Sequence, residues 1–204
     1  MTDALKPLVL VVDDDDAMRG SVAFLLASVG LDSRGFATAE AFLAQLPDDG
    51  RPGCVILDVR MPGMSGLELQ RLLAERKFVL PLVIVTGHGD VPMAVSALKA
   101  GAHDFIEKPF NDQVLLDAVT AAIRASREKL ADAANRDVVE KRLASLTRRE
   151  REVLDRVLAG KPNKQIAFDL DLSIKTVEVH RHAVMEKMAA RSVAELAQLM
   201  VGLG

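Results

Sequence analysis

Cysteine is nearly absent: the single thiol, Cys54, has no partner for an intrachain disulfide and belongs to no set of ligands at metal-binding spacing. It lies in the apolar run Cys54-Val55-Ile56-Leu57, where it reads as a small buried hydrophobe. Long hydrophobic runs are also missing, so nothing asks for a membrane span. The N-terminus has no basic region leading into a long hydrophobic core, which argues against a signal peptide and sets the expectation of a cytoplasmic protein without membrane contact. Neither a solenoid-type repeat nor a low-complexity segment is visible. What is present is 204 residues, 50% hydrophobic and 27% charged, a soluble globular composition sized for one or two domains.

Charge is shared unevenly. Residues 1–124 hold 11 Lys and Arg against 17 Asp and Glu, a net of −6, and residues 125–204 hold 15 against 12, a net of +3. That sign change points to two domains, the second being the candidate for meeting a polyanion.

In the first part, Leu8–Asp13, Ser33–Phe36, Cys54–Asp58, Leu82–Thr86 and Asp104–Glu107 read as strands. Between them Ala17–Val29, Ala39–Leu46, Gly66–Lys77 and Val91–Ala100 read as helices. Leu8–Val12 and Leu82–Val85 are apolar without alternation, as expected of central strands covered on both faces. Strand and helix alternating this way predict right-handed crossovers and an α/β fold with a doubly wound, five-stranded parallel sheet.

Ligands of such sheets bind beyond the carboxyl ends of the strands, where the strand order reverses. The run LVLVVDDDD places Asp13 and Asp14 at the end of the first strand; Asp58 ends the third, Thr86 the fourth, and Lys108 follows the fifth. Three carboxylates brought together repel one another unless a cation offsets them, and a hard divalent ion with oxygen ligands, Mg²⁺ or Mn²⁺, suits that set. Asp58 is then a nucleophile that needs no general base and can form an aspartyl phosphate. Lys108 and the Thr86 hydroxyl are placed to serve the phosphoryl oxygens. Plainer roles exist for each residue taken singly: Asp15 or Asp16 as a helix N-cap, Lys108 before Pro109 as a turn lysine, Thr86 as a strand terminator.

These residues resemble the receiver domain of bacterial two-component response regulators. The motifs VVDDDD, VILDVRMPGMSG, VTGHGD and AGAHDFIEKPF occur in the order of that family over the first 120 or so residues. The resemblance implies a flavodoxin-like (CheY-like) receiver in which Asp58 accepts phosphate from a phosphohistidine on a sensor histidine kinase. It implies that Asp13, Asp14, Asp58 and the backbone carbonyl of Arg60 hold the metal ion, and that the Lys108–Pro109 peptide is cis. Thr86 and Phe105 become the switch pair, repacking the face around Val91–Ala100 and Asp104–Glu107, through which receivers often dimerise. Four aspartates in a row leave two registers for the acidic pair; Asp13 with Asp14 falls at the strand end.

After Phe110 a helical pattern with Val114, Leu115, Val119 and Ile123 closes the first domain. Residues 125–143 contain no Gly or Pro and are rich in Ala, Arg, Glu and Lys, which reads as a semi-rigid helical arm with a break near Asn135, or else as a charged tether. The last sixty residues read as four helices: Arg148–Ala159, Asn163–Leu170, Ile174–Ala189 and Val193–Val201. Thr147 with Glu150 makes a capping box, Gly160 and Pro162 end the first of these helices, and Ser173 is placed to cap the third. This is helix-turn-helix spacing.

On the third helix Val177, Val184 and Met188 form a stripe for the core, with His180 beside it as a packing residue. Lys175, Glu178, Val179 and His182 lie opposite and can reach base edges, while Lys164, Thr176 and Arg181 suit phosphates. The run LTRREREVLDRVLAGKPNKQIAFDLDLSIKTVEVHRHAVMEKM resembles the LuxR-type DNA-binding domain, an all-α four-helix unit.

The whole is similar to the FixJ subgroup of response regulators. The organisation implied is a receiver over 1–124, a helical linker over 125–143 and the helix-turn-helix domain over 144–204. The subgroup implies a transcriptional activator that forms a homodimer on phosphorylation, binds double-stranded promoter DNA and works with RNA polymerase, in nitrogen-fixation or microaerobic control or in answer to another signal. Two other classes differ in what they require. A Mg²⁺-dependent phosphotransferase needs a second acid/base carboxylate beside the nucleophile, and Val59-Arg60-Met61-Pro62 supplies none. A constitutive DNA-binding protein has no use for the full set Asp13, Asp14, Asp58, Thr86 and Lys108.

Overall fold

The computed structural model describes residues 5–46, 50–87 and 90–203, and the chain divides into two compact units, residues 1–130 and 131–204. In the first unit β1 (Leu8–Val12), β2 (Asp32–Phe36), β3 (Gly53–Asp58), β4 (Leu82–Thr86) and β5 (Asp104–Glu107) form one parallel sheet in the order β2-β1-β3-β4-β5. Every residue of β1, β3 and β4 is buried. The two-residue period of the strand explains why they read as unbroken apolar runs. Leu10, Val12, Val55, Leu57 and Ile84 pack on one face with Phe36, Phe42, Leu69 and Leu73, whereas Val9, Val11, Cys54, Ile56, Val83 and Val85 pack on the other with Val22, Leu26, Leu115 and Val119. Each face is apolar, so neither residue parity is polar. Cys54 is buried among them, and burial pushes its thiol up to about 12.

The helices α1 (Asp16–Ser28), α2 (Ala39–Ala44), α3 (Gly66–Glu75) and α4 (Val91–Lys99) alternate with the strands as read from the sequence, their ends moved by one or two residues. Asp15, not Asp16, caps α1, its Oδ1 accepting from the backbone N–H of Ala17 at 2.8 Å and Met18 at 3.3 Å. Ser65 and Glu68 form a capping box on α3, and Asp90 caps α4. Strand order turns between β1 and β3, where Val12 pairs with Leu57, so the carboxyl ends of those two strands border the crevice expected of a doubly wound sheet.

The helix α5 (Asp112–Ala144) is continuous for 33 residues. The break considered near Asn135 is not there, and a charged tether is equally excluded. The segment has no Gly or Pro to break the helix, its Ala, Arg, Glu, Lys and Leu outweigh Asn135 and the aspartates, and both ends are built into cores. Its early part belongs to the first unit, where Ser126 is fully buried and its Oγ accepts from the Gly53 N–H at 3.1 Å. Its late part supplies Val139 to the core of the second unit.

That second core gathers Leu154, Ile166, Val177, Val184, Met188 and Leu196 from α6 (Arg148–Leu158), α7 (Asn163–Leu170), α8 (Ile174–Met188) and α9 (Val193–Val201). Thr147 and Glu150 complete the predicted capping box on α6, and Ser173 caps α8 through the Thr176 N–H at 3.0 Å. Between α7 and α8 the chain turns at Asp171, held in the left-handed region at φ 53°. The buried stripe Val177, Val184 and Met188 is the one read from the sequence, and His180 is half-buried beside it.

Candidate phosphoacceptor site and nucleic-acid interface

Four strand ends assemble the polar site of the first unit. Asp13 follows β1, Asp58 closes β3, Thr86 closes β4 and Lys108 follows β5; Asp13, Asp58 and Thr86 are all buried. The Lys108 ammonium lies between the carboxylates, donating to Asp13 Oδ2 at 2.7 Å and to Asp58 Oδ1 at 2.9 Å. The remaining oxygens take backbone donors: Asp58 Oδ2 accepts from the Arg60 N–H at 2.6 Å, and Asp13 Oδ1 from the Asp15 N–H at 2.9 Å. Lys108 is itself anchored, its N–H donating to the Thr86 carbonyl at 2.8 Å, and the Lys108–Pro109 peptide is cis.

Burial raises the Asp58 carboxyl above the ordinary carboxylate range, against the hydrogen bond and charge of Lys108, with the Asp13 charge adding to the rise. For Lys108, burial works against the ammonium, but the hydrogen bonds and charges of Asp13 and Asp58 prevail and hold its pKa above the usual lysine value. The lysine is therefore a fixed positive charge at neutral pH.

Gly66 makes the close packing behind Asp58 feasible. Its N–H donates to the Val59 carbonyl at 2.9 Å, and a Cβ there would lie 2.1 Å from the Asp58 carbonyl oxygen. The cluster of three carboxylates expected from the sequence is, in the structure, a pair with a lysine between them. Asp14 is exposed on the turn, and among the described residues no three His, Cys, Asp or Glu side chains are grouped to hold a metal ion. Extended and helical periodicity place a residue at a strand end but do not aim a side chain in the turn beyond it.

Phe105 is half-buried on β5 and packs against the core that includes Ala97 of α4. Arg60 is exposed, and His88 and Gly89 of the VTGHGD motif lie outside the described residues. Sequence reading missed Arg19. Its Nη1 donates to the Asp13 carbonyl at 2.5 Å, it pairs with Asp16, and its stem passes over Gly35 of β2. The three-residue spacing from Asp16 on one helix face was the available signal.

In the second unit Lys175, Glu178, Val179 and His182 are exposed on α8, Val179 to 62%, and Lys164 is exposed on α7. The Thr176 hydroxyl is 2.7 Å from the Ser173 hydroxyl, and Arg181 reaches back to α7, its Nη1 donating to Asn163 Oδ1 at 2.9 Å. Lys187, near the end of α8, donates to Glu150 Oε2 at 2.7 Å. That bond, with the Thr147 N–H, holds the Glu150 carboxyl below its usual range.

Comparison with known proteins gives both halves a family. Residues 9–120 match the response regulator receiver domain, and residues 144–200 match the bacterial regulatory proteins of the luxR family. The chain is 48% identical over 194 residues to the transcriptional regulatory protein FixJ of Rhizobium meliloti, covering 95% of each chain. It is 48% identical over 191 residues to the C4-dicarboxylate transport transcriptional regulatory protein DctR of Rhodobacter capsulatus, covering 93% of this chain and 96% of that one. Among solved structures it resembles the response regulator StyR, with 43% identity and a TM-score of 0.86 over 97% of this chain and 99% of that one. The chain thus belongs to the two-component response regulators, a FixJ-like transcription factor rather than an enzyme, with a receiver domain followed by a LuxR-type DNA-binding domain.

Proposed function

We propose that Asp58 is the phosphoacceptor and that its phosphorylation by a sensor histidine kinase pairs two chains, so that their helix-turn-helix units read promoter DNA and activate transcription with RNA polymerase. The observation carrying this reading is the Lys108 ammonium between Asp13 and Asp58 at the reversal of the parallel sheet.

The residues fit a hard divalent cation. Their fit is one of donor chemistry: Asp13 and Asp58 are buried carboxylates brought to neighbouring strand ends, and Mg²⁺ is commonly held by one or two carboxylates with waters and phosphoryl oxygens. Asp13, Asp14, Asp58 and the Arg60 carbonyl would hold Mg²⁺ or Mn²⁺, which when bound neutralises charge on the transferring group. Asp14, turned to solvent, is free to serve without breaking the Lys108 bridge to its neighbours, while Asp15 is occupied as the cap of α1.

An Asp58 oxygen then forms the bond to phosphorus as the phosphohistidine N–P bond breaks, leaving the imidazole on the kinase. Lys108 and the Thr86 hydroxyl take the phosphoryl oxygens. Thr86 turning toward them draws Phe105 inward and alters the face of α4 and β5. Val91, Val95 and Leu98 of α4 are exposed apolar side chains on that face and suit a homodimer contact. A linked pair of DNA-binding units gains from raised effective concentration at two half-sites. Lys164 is assigned to phosphate, and Lys175, Glu178, Val179 and His182 to base edges.

For the pathway, likeness to FixJ supports control of nitrogen-fixation or microaerobic genes. The equal identity to DctR supports the same mechanism under a different signal. Intact mass and solution size after incubation with acetyl phosphate test the core of the reading. One phosphoryl adduct that requires a divalent cation, is lost in Asp58→Asn and accompanies dimerisation is expected; an adduct that persists in Asp58→Asn refutes the assignment.

A further inference from the structure

We propose that Arg181 is a positioning residue, which fixes the rotation of α8 against α7 and so aims the base-reading side chains, and is not a phosphate contact; the proposal rests on the DNA-binding reading above. Arg181 lies four residues after Val177 and three before Val184, which places it in the same row as Val177, Val184 and Met188, all fully buried. It is the polar member of that stripe and is itself half-buried. Its Nη1 donates to Asn163 Oδ1 at 2.9 Å, and Asn163 is the first residue of α7. No side chain caps α7, whose N-cap is Pro162, so the Asn163 amide is turned to α8 and not to the amides of its own helix.

Near the other end of α7, Asp169 is bonded chiefly to its own helix and the turn before it. Asp169 accepts from Lys161 Nζ at 2.6 Å and from Gln165 Nε2 at 2.8 Å, with the Arg156 Nε of α6 at 3.8 Å. With α7 packed into the core through Ile166, Ala167 and Leu170, the Asn163–Arg181 bond sets where α8 can turn. Successive residues point about 100° apart, so a small rotation of α8 displaces Lys175, Glu178, Val179 and His182 together. A guanidinium held on the packed side of the helix, bonded within the unit, is badly placed for DNA phosphate on the opposite side.

The test uses the full chain with acetyl phosphate, and two probes: a duplex enriched by the wild type from a randomised library, and a random-sequence duplex. Affinity is measured across a salt series for Asn163→Ala, Arg181→Ala and the double variant. Asn163 carries no charge, so its removal leaves counterion release, and with it the salt slope, unaltered. The expected result is a loss of about tenfold on the enriched duplex for each single variant and about the same for the double variant, because one shared bond is removed. Affinity for the random duplex and the slope of log affinity against log salt should stay at wild-type values.

A phosphate contact behaves otherwise. If Asn163→Ala keeps wild-type affinity while Arg181→Ala weakens both duplexes and lowers the salt slope by about 0.9, the proposal is overturned. Additive losses in the double variant overturn it too. Should Arg181→Ala unfold the second unit by circular dichroism, Arg181→Met, which refills the stripe, is read in its place. A wild type that enriches no duplex refutes the DNA-binding reading itself.

Discussion

The two units build their functional groups in opposite ways. The receiver brings Asp13, Asp58, Thr86 and Lys108 from four strand ends, Asp13 and Lys108 lying 95 residues apart, into a buried cluster where each carboxylate oxygen has a partner. The reading face proposed for the DNA-binding unit is one short stretch of α8, exposed and contiguous in sequence. A buried cluster depends on the whole sheet for its geometry, and its members change one another's charge state. A helix face depends on a few packing contacts behind it. Damage to the first should therefore be steep and chemical, and damage to the second graded.

Lys108→Met strikes the comparison hardest. It leaves Asp13 and Asp58 facing each other without their cation, and adduct formation with acetyl phosphate should slow by roughly 10²–10³-fold. Random-duplex affinity of the unphosphorylated chain should not move, and a parallel loss there would erase the distinction between the units. Leu154→Ala is the converse. It empties a buried site in the second core, costing about 2–5 kcal/mol of that unit's stability in denaturant melts followed by circular dichroism, while mass spectrometry should record an unchanged adduct.

Lys164→Ala sharpens the graded side, with specific and random duplexes weakened equally and the salt slope reduced by about 0.9. Val179→Ala should instead alter preference among duplexes at one base pair, through a lost apolar contact such as one to a thymine methyl, with random-duplex affinity unchanged. The smallest effect concerns Glu150. Its carboxyl is held below the usual range by Lys187 and the Thr147 N–H, so the folded state binds the proton less readily than the unfolded chain. The resulting stabilisation is fully present above the unfolded carboxylate pKa and is lost as pH falls through the folded value. Thermal melts of the second unit should show that loss on acidification, and Glu150→Gln should flatten it.

Much of this was legible from residue order alone. Central strands announce themselves when both faces are apolar, as in Leu8–Val12, and caps such as Thr147 and Ser173 follow from local chemistry. Membership of the acidic cluster was legible as far as the strand ends. The outward turn of Asp14 was not, because Asp15 capping α1 decides it and four identical side chains carry no mark of which one caps. For Arg181 two signals compete, since its charge suits phosphate while its spacing from Val177 and Val184 puts it in the packed row. Division of α5 between two cores could not be read from 125–143, where no helix breaker marks a boundary and only tertiary partners such as Gly53 and the second core distinguish Ser126 from Val139.

Gly66 sets the tolerance of the loop after Asp58 to mutation. With only 2.1 Å between a would-be Cβ and the Asp58 carbonyl oxygen, the first atom that every other amino acid adds is already the forbidden one. Substitution there cannot be graded by size or polarity: alanine and tryptophan meet the same obstacle. A saturation library at this codon should therefore yield a step, with glycine on one side and all alternatives on the other, where neighbouring positions yield a slope.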